Sequence, residues 1–197
     1  MTQPHQAIIF DCDGTLADTM PAHYVAWNQT LSPHGINFTK ERFYQLGGTP
    51  TVTIIEMLAA EANIQLNAQD LALEKEHAFH KNLHQVGPIN PVVEVAKAYH
   101  GKMPLAVATG SERWSAQKIL EHLEIIHLFD HLVCADDVTN PKPAPDIYLQ
   151  AANLINTPPH LCLVYEDTDL GIQGATAAGM ACIDVRPLCE QAQRSSP

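Results

Sequence analysis

The stretch Ala7-Ile8-Ile9-Phe10-Asp11-Cys12-Asp13-Gly14-Thr15-Leu16-Ala17-Asp18-Thr19 runs from four apolar residues into two carboxylates two positions apart and then a glycine turn. Residues 7 to 10 read as a buried strand, and the acids fall where it ends. Acids so placed can hold a cation and work on a bound anion, one attacking while its neighbour moves protons. That is a layout for phosphoryl transfer. A plainer reading is a strand closing in an Asp-Gly turn, with Asp13 or Thr15 capping backbone groups. A calcium loop fits less well, because the acids follow a strand-like run and the twelfth position from Asp11 is Ala22 where such a loop carries glutamate.

Working outward, the same pattern of short apolar run and helical stretch returns from about residue 90. Leu105 to Thr109, His131 to Cys134, Leu161 to Tyr165 and Ala181 to Val185 read as strands. Pro91 to Tyr99, Ser111 to Leu123, Pro145 to Ile155 and Leu170 to Ala178 read as helices, with apolar positions three or four apart. Strands alternating with helices argue an α/β fold, a parallel sheet covered on both faces whose ligands gather outside the strands' carboxyl ends. Residues 19–86 break the rhythm. They hold amphipathic helices at Pro21 to Leu31, Lys40 to Leu46, Thr51 to Ala62 and Ala68 to Leu83 and no buried strand, so they read as an all-helical insertion. Gly87, Pro88 and Pro91 punctuate the return to the core. The expected organisation is a core of residues 1–18 and 87–187, a helical cap of 19–86, and a loose polar tail of 188–197.

The 197 residues are enough to bury a sizeable core without disulfides. Five cysteines form an odd set with no Cys-x-x-Cys pair, which argues buried reduced thiols in a cytosolic protein. The first residues lack a basic stretch and a signal-length apolar segment, and no run approaches a membrane span, so a cytoplasmic location is expected. With 22 acids against 11 bases the net charge is −11, and no Lys/Arg cluster appears. Nucleic acid and anionic membrane are therefore excluded as expected partners, and no obligate protein partner is evident. A chain so negative would need a metal to handle phosphate.

Three more groups fall at strand ends. Thr109-Gly110-Ser111 offers hydroxyls and free backbone N–H groups suited to phosphate oxygens, or, more simply, Ser111 caps the next helix. In Asn140-Pro141-Lys142-Pro143-Ala144-Pro145-Asp146 a lysine is held between two prolines, either a cation placed at low entropic cost or an exposed loop residue. In Tyr165-Glu166-Asp167-Thr168-Asp169 two adjacent acids stand at a helix start, where acids are favoured in any case. Their metal role is convincing only beside Asp11.

Together Asp11-Cys12-Asp13-Gly14-Thr15, Thr109, Lys142 and Glu166-Asp167 resemble, in order and strand context, the motifs of the haloacid dehalogenase-like phosphotransferases. The likeness covers nearly the whole chain. It implies a Rossmann-like doubly wound parallel sheet core with an inserted all-helical cap. Asp18-Thr19 with His23 and Trp27, Lys142 through Asp146, and Glu166 through Gln173 resemble the beta-phosphoglucomutase-like branch. Within it, Gly48-Thr49-Pro50-Thr51 and Val107 through Glu112 are most similar to bacterial fructose-1-phosphate phosphatases.

The resemblance implies that Asp11 attacks phosphorus to form an aspartyl-phosphate, while Asp13 protonates the leaving sugar oxygen and later deprotonates water. It implies Mg²⁺ as cofactor, held by Asp11, the Asp13 carbonyl and Asp167 with Glu166 direct or through water; Asp169 is a weaker candidate. Thr109, Gly110, Ser111 and Lys142 would bind the phosphoryl oxygens. His23 and Lys75 match cap residues of the branch that meet the sugar, although the plain reading makes them exposed polar side chains. Trp27 reads as cap core. His77, His80 and His84 stand at i, i+3 and i+7, a spacing that a solvated helix face explains as well as a metal would. The chain departs from the mutases of the branch where Thr51 aligns with an arginine and Glu112 with a lysine. The expected activity is Mg²⁺-dependent hydrolysis of small sugar phosphates such as fructose 1-phosphate. A beta-phosphoglucomutase-type mutase is the alternative, and a non-catalytic metabolite-binding protein is the third class.

Overall fold

The computed structural model describes residues 5–47 and 49–188. Gly48, Cys189 and all of the expected tail beyond Leu188 lie outside the described residues. The elements run β1 (Ala7–Phe10), β2 (Ala17–Asp18), α1 (Met20–Leu31), α2 (Lys40–Gln45), α3 (Thr51–Glu61), α4 (Ala68–Lys81), β3 (Gly87–Pro88), α5 (Asn90–Tyr99), β4 (Leu105–Ala108), α6 (Arg113–His122), β5 (His131–Val133), α7 (Asp146–Leu154), β6 (Cys162–Glu166), α8 (Asp169–Ala177) and β7 (Ala181–Asp184). The described residues form two compact units, one within residues 1–18 and 87–197 and one within residues 19–86.

In the first unit β5, β4, β1, β6 and β7 pair in that order, every pair parallel. The chain leaves β1 toward β4 and β5, then returns to the other side for β6 and β7. The order therefore reverses at β1, and the acids after Phe10 stand at the switch point, where ligands of such sheets collect. Every residue of β1 and of β4 is buried, which requires cover on both faces because successive side chains point to opposite sides. On one face Ala7, Ile9, Ala106, Ala108, Val133 and Val164 pack with Ile147, Tyr148, Ala151 and Ala175 of α7 and α8. Phe10 points the other way and stacks on Tyr165, with ring centroids 5.2 Å apart.

In the second unit α4 packs on α1 and α3. Trp27, Leu31, Phe38, Phe43, Ile54, Ile55, Leu58 and Leu71 make its core. Trp27 is buried there, an edge against the Phe38 ring. Thr39 and Asn67 cap α2 and α4 by accepting from the Arg42 and Asp70 N–H groups.

The structure corrects several readings. Gly87 and Pro88 are not turn punctuation alone: they pair antiparallel with Asp18 and Ala17. Leu188 is not in a loose tail, since its N–H donates to Val185 O at 2.9 Å. The helix expected to run to Leu83 stops at Lys81, and His84 sits in a separate 3₁₀ turn, so His77, His80 and His84 share no single helix face. Cys12, Cys134 and Cys162 are buried free thiols, but Cys182 is only half-buried. Burial pushes the Cys134 thiol up to about 12 and that of Cys182 up to about 11, so these sulfurs stay protonated and unreactive at neutral pH. No helix among the described residues is long and apolar enough to cross a membrane.

Candidate active site

Asp11 follows β1 directly, its N–H held by Tyr165 O at 3.0 Å, which extends the ladder by one residue and fixes the first acid. The chain then turns sharply. Cys12 O accepts from Leu16 and Ala17, Gly14 N–H donates to Ala17 O, and Gly14 takes φ +83°, a conformation natural only to glycine among residues of ordinary size. This loop brings the Thr15 hydroxyl to Asp167 Oδ1 at 2.9 Å. The turn reading of Thr15 as a backbone cap is thus replaced by a contact with the second acidic motif.

Thr109, Gly110 and Ser111 follow β4. Ser111 is not a helix cap, because α6 begins at Arg113 with Glu112 at its N-cap. Its hydroxyl donates to Asp13 Oδ2 at 2.7 Å, and Thr109 Oγ1 reaches the same oxygen at 3.4 Å. The N–H groups expected to be free are partly committed: that of Thr109 donates to Val133 O and that of Ser111 to Thr109 Oγ1. Gly110 is exposed, with open space where a side chain would begin.

Lys142 is no exposed loop lysine. Its side chain is 12% exposed, and Nζ lies 2.7 Å from both Asp11 Oδ1 and Glu166 Oε2. Glu166 is fully buried at the end of β6. Its Oε1 accepts from the N–H groups of Asp167 and Thr168 and from the Thr168 hydroxyl, and its Oε2 also accepts from the Tyr148 hydroxyl at 2.9 Å. Tyr148 is the side chain at this site that the sequence does not single out, and Thr15 reads there only as a turn cap or as part of the first motif.

One carboxylate oxygen each from Asp11, Glu166 and Asp167 lies within 4.8 Å of the others, the one grouping of His, Cys, Asp or Glu among the described residues suited to a metal. Burial and then the charge of Glu166 push Asp11 well above the usual carboxylate range, against the pull of Lys142. The same two causes carry Asp167 up to about 7, against the Thr15 hydrogen bond. Burial also works against ionised Glu166, but the charge and hydrogen bond of Lys142 and the Thr168 bonds outweigh it and hold this carboxyl low. The cluster carries more negative charge than its lysine offsets. Hard, crowded oxygen donors short of positive charge fit a divalent cation such as Mg²⁺. Asp169 stands apart, exposed and paired with Arg186 at 2.9 Å.

His23 and Lys75 belong to the helical unit. Neither is the exposed polar residue of the plain reading: Lys75 is 4% exposed, with Nζ 3.0 Å from His23 Nδ1 and 2.8 Å from Glu76 Oε1. His23 is half-buried and stacks on Phe79.

The sequence profile of the haloacid dehalogenase-like hydrolases matches residues 8–185. The chain is 41% identical over 189 residues to the fructose-1-phosphate phosphatase YqaB of Escherichia coli (strain K12), covering 95% of this chain and 100% of the relative. It is 28% identical to a phosphorylated carbohydrates phosphatase of Thermotoga maritima, over 89% of this chain and 82% of that protein. Among solved structures, beta-phosphoglucomutase from Clostridium difficile superposes with a TM-score of 0.79 at 25% identity, over 91% of this chain and 84% of the other. With its acids at the switch point of a parallel sheet and a profile match from β1 through the end of β7, this chain belongs to the haloacid dehalogenase-like hydrolases.

Proposed function

We propose that the protein is a Mg²⁺-dependent phosphatase of small sugar phosphates, fructose 1-phosphate first among them, working through an aspartyl-phosphate. The observation that carries this reading is the convergence on Asp11 and Asp13 of Lys142, Thr109 and Ser111 from separate strand ends. The likeness to two phosphatases of phosphorylated sugars supports the substrate class.

Asp11 would attack phosphorus through a carboxylate oxygen as the bond from phosphorus to the sugar oxygen breaks, and Asp13 would give its proton to that oxygen. In the second half Asp13 would take a proton from water as it attacks the phosphoryl group, returning Asp11 as carboxylate and releasing phosphate. Thr109 and Ser111 bring hydroxyl donors, and Lys142 a cation, to where charge gathers on the transferring oxygens. Asp11, Asp167 and the Asp13 carbonyl would hold Mg²⁺, with Glu166 beside them. When bound, the ion supplies positive charge that offsets repulsion between these acids and a dianionic phosphate.

Lys75 is the helical unit's candidate for contact with the sugar or a second anion on the resemblance alone, since its buried ammonium is already held by His23 and paired with Glu76. The test is phosphate release from a panel of sugar phosphates with Mg²⁺, with chelator, and with Mg²⁺ restored. Turnover of fructose 1-phosphate that chelator stops and Mg²⁺ recovers is the expected result, and full turnover in chelator would contradict the reading.

A further inference from the structure

Lys142 Nζ lies against Asp11 Oδ1, Glu166 Oε2 and the ring of Tyr148, whose centroid is 5.2 Å away. Tyr148 is fully buried on α7, and its hydroxyl donates at 2.9 Å to the same Glu166 oxygen that holds the lysine. The ring has its place because Gly174 of α8 has no side chain: a Cβ there would stand 3.1 Å from Tyr148 Cε2. The remaining Glu166 oxygen is taken by three donors of residues 167 and 168. A carboxylate offers about four acceptor positions, so five donors hold Glu166 against rotation.

The two counter-ions of Lys142 differ in what the reaction does to them. Asp11 loses its charge when it bonds to phosphorus. Glu166 keeps its charge throughout, so only Glu166 can hold the ammonium in one place from one half-reaction to the next. A lysine is a flexible point charge, and its value to a transition state depends on being placed beforehand.

We propose that Tyr148 is a positioning residue for Lys142: its hydroxyl fixes the Glu166 oxygen that holds the ammonium, and its ring face lines the same pocket of charge. This rests on the phosphatase reading above. Tyr148→Phe keeps the ring and removes the one donor. The melting temperature of the variant should show it folded, with KM and the Mg²⁺ activation constant within about threefold of wild type and kcat lowered roughly tenfold, because the lysine acts on the transition state. A tyrosine that served packing alone would leave kcat within about twofold, because phenylalanine keeps the ring, and that result overturns the inference. A second measurement needs no turnover. Proton NMR of the substrate-free wild type should show a slowly exchanging hydroxyl proton that is absent from Tyr148→Phe and displaced in Lys142→Met. Its absence from the wild type overturns the inference, whereas a wild type that shows the proton yet releases phosphate from no sugar phosphate refutes the phosphatase reading alone.

Discussion

The carboxylate of Asp167 occupies the space that a side chain on Gly14 would need. The first acidic motif and the last, 153 positions apart by the difference of these residue numbers, are thus fitted against each other through a missing Cβ. Gly14→Ala meets two obstacles. The backbone at φ +83° strains any residue with a Cβ, at about 1 kcal/mol or more, and the new methyl must push Asp167 aside. The expected outcome is a variant that still folds, melts lower, and needs a much higher Mg²⁺ concentration for half-maximal activity. Calorimetric titration with Mg²⁺ checks it, and unchanged affinity would show that Asp167 can hold the metal from elsewhere.

Asp11 and Asp13 should part company when changed singly. Asp11→Asn removes the nucleophile, so turnover and phosphoenzyme should both vanish. Asp13→Asn leaves attack possible, so it should slow substrates with poor leaving groups most and p-nitrophenyl phosphate least. Comparing the two substrates in both variants is the measurement. An Asp11→Asn enzyme with near wild-type turnover would remove the proposed mechanism.

The acid cluster also makes a claim about stability. Asp167 has its folded-state value near 7 against an ordinary 3.8, so the folded protein binds its proton more tightly than the unfolded chain does. That contribution to stability is full below the unfolded value and is lost as pH rises through the folded one. Asp11, also pushed up, has the same sign. In chelator the melting temperature should therefore fall from about pH 5 to about pH 8, less steeply in Asp167→Asn, while Mg²⁺ should raise it more at the higher pH, where its ligands are ionised. Parallel curves for the two proteins in chelator would contradict this assignment.

What could be read in the sequence, and what could not, follows from where physical information lies along a chain. The run Ala7 to Phe10 has the same bounds in sequence and structure, and the helices differ by a residue or two at their ends, because burial imposes a period that a short window displays. Asp11, Asp13, Thr109 and Glu166 could be named because each follows an apolar run, and Lys142 because two prolines flank it. The pairing of Ala17 and Asp18 with Pro88 and Gly87 could not, since two residues carry no period. Nor could Thr15 against Asp167 or Tyr148 against Glu166. Each is a single hydrogen bond between distant side chains, and Tyr148 in its helix is indistinguishable from an ordinary core aromatic until Glu166 is seen under its hydroxyl.

The choice between hydrolase and mutase turns on two positions where the chain departs from the mutases it resembles. The resemblance implies an arginine in those enzymes where Thr51 stands and a lysine where Glu112 stands, two cations that would grip the phosphate that is not being transferred. Here Thr51 opens α3 and Glu112 caps α6 without using its side chain for the cap. One position is neutral and the other reversed in sign. A hydrogen bond to a charged group contributes roughly 1.5 to 3 kcal/mol, so each missing cation weakens a bisphosphate by about ten- to a hundredfold. The bisphosphate should be held poorly, the phosphoenzyme should wait for water, and the products should be inorganic phosphate and free sugar. Phosphorus NMR of beta-glucose 1-phosphate with enzyme, Mg²⁺ and added glucose 1,6-bisphosphate decides it. Inorganic phosphate should accumulate without glucose 6-phosphate, and the double variant Thr51→Arg with Glu112→Lys should bind the bisphosphate more tightly than wild type. Glucose 6-phosphate appearing faster than inorganic phosphate in the wild-type reaction would make the protein a mutase despite Thr51 and Glu112.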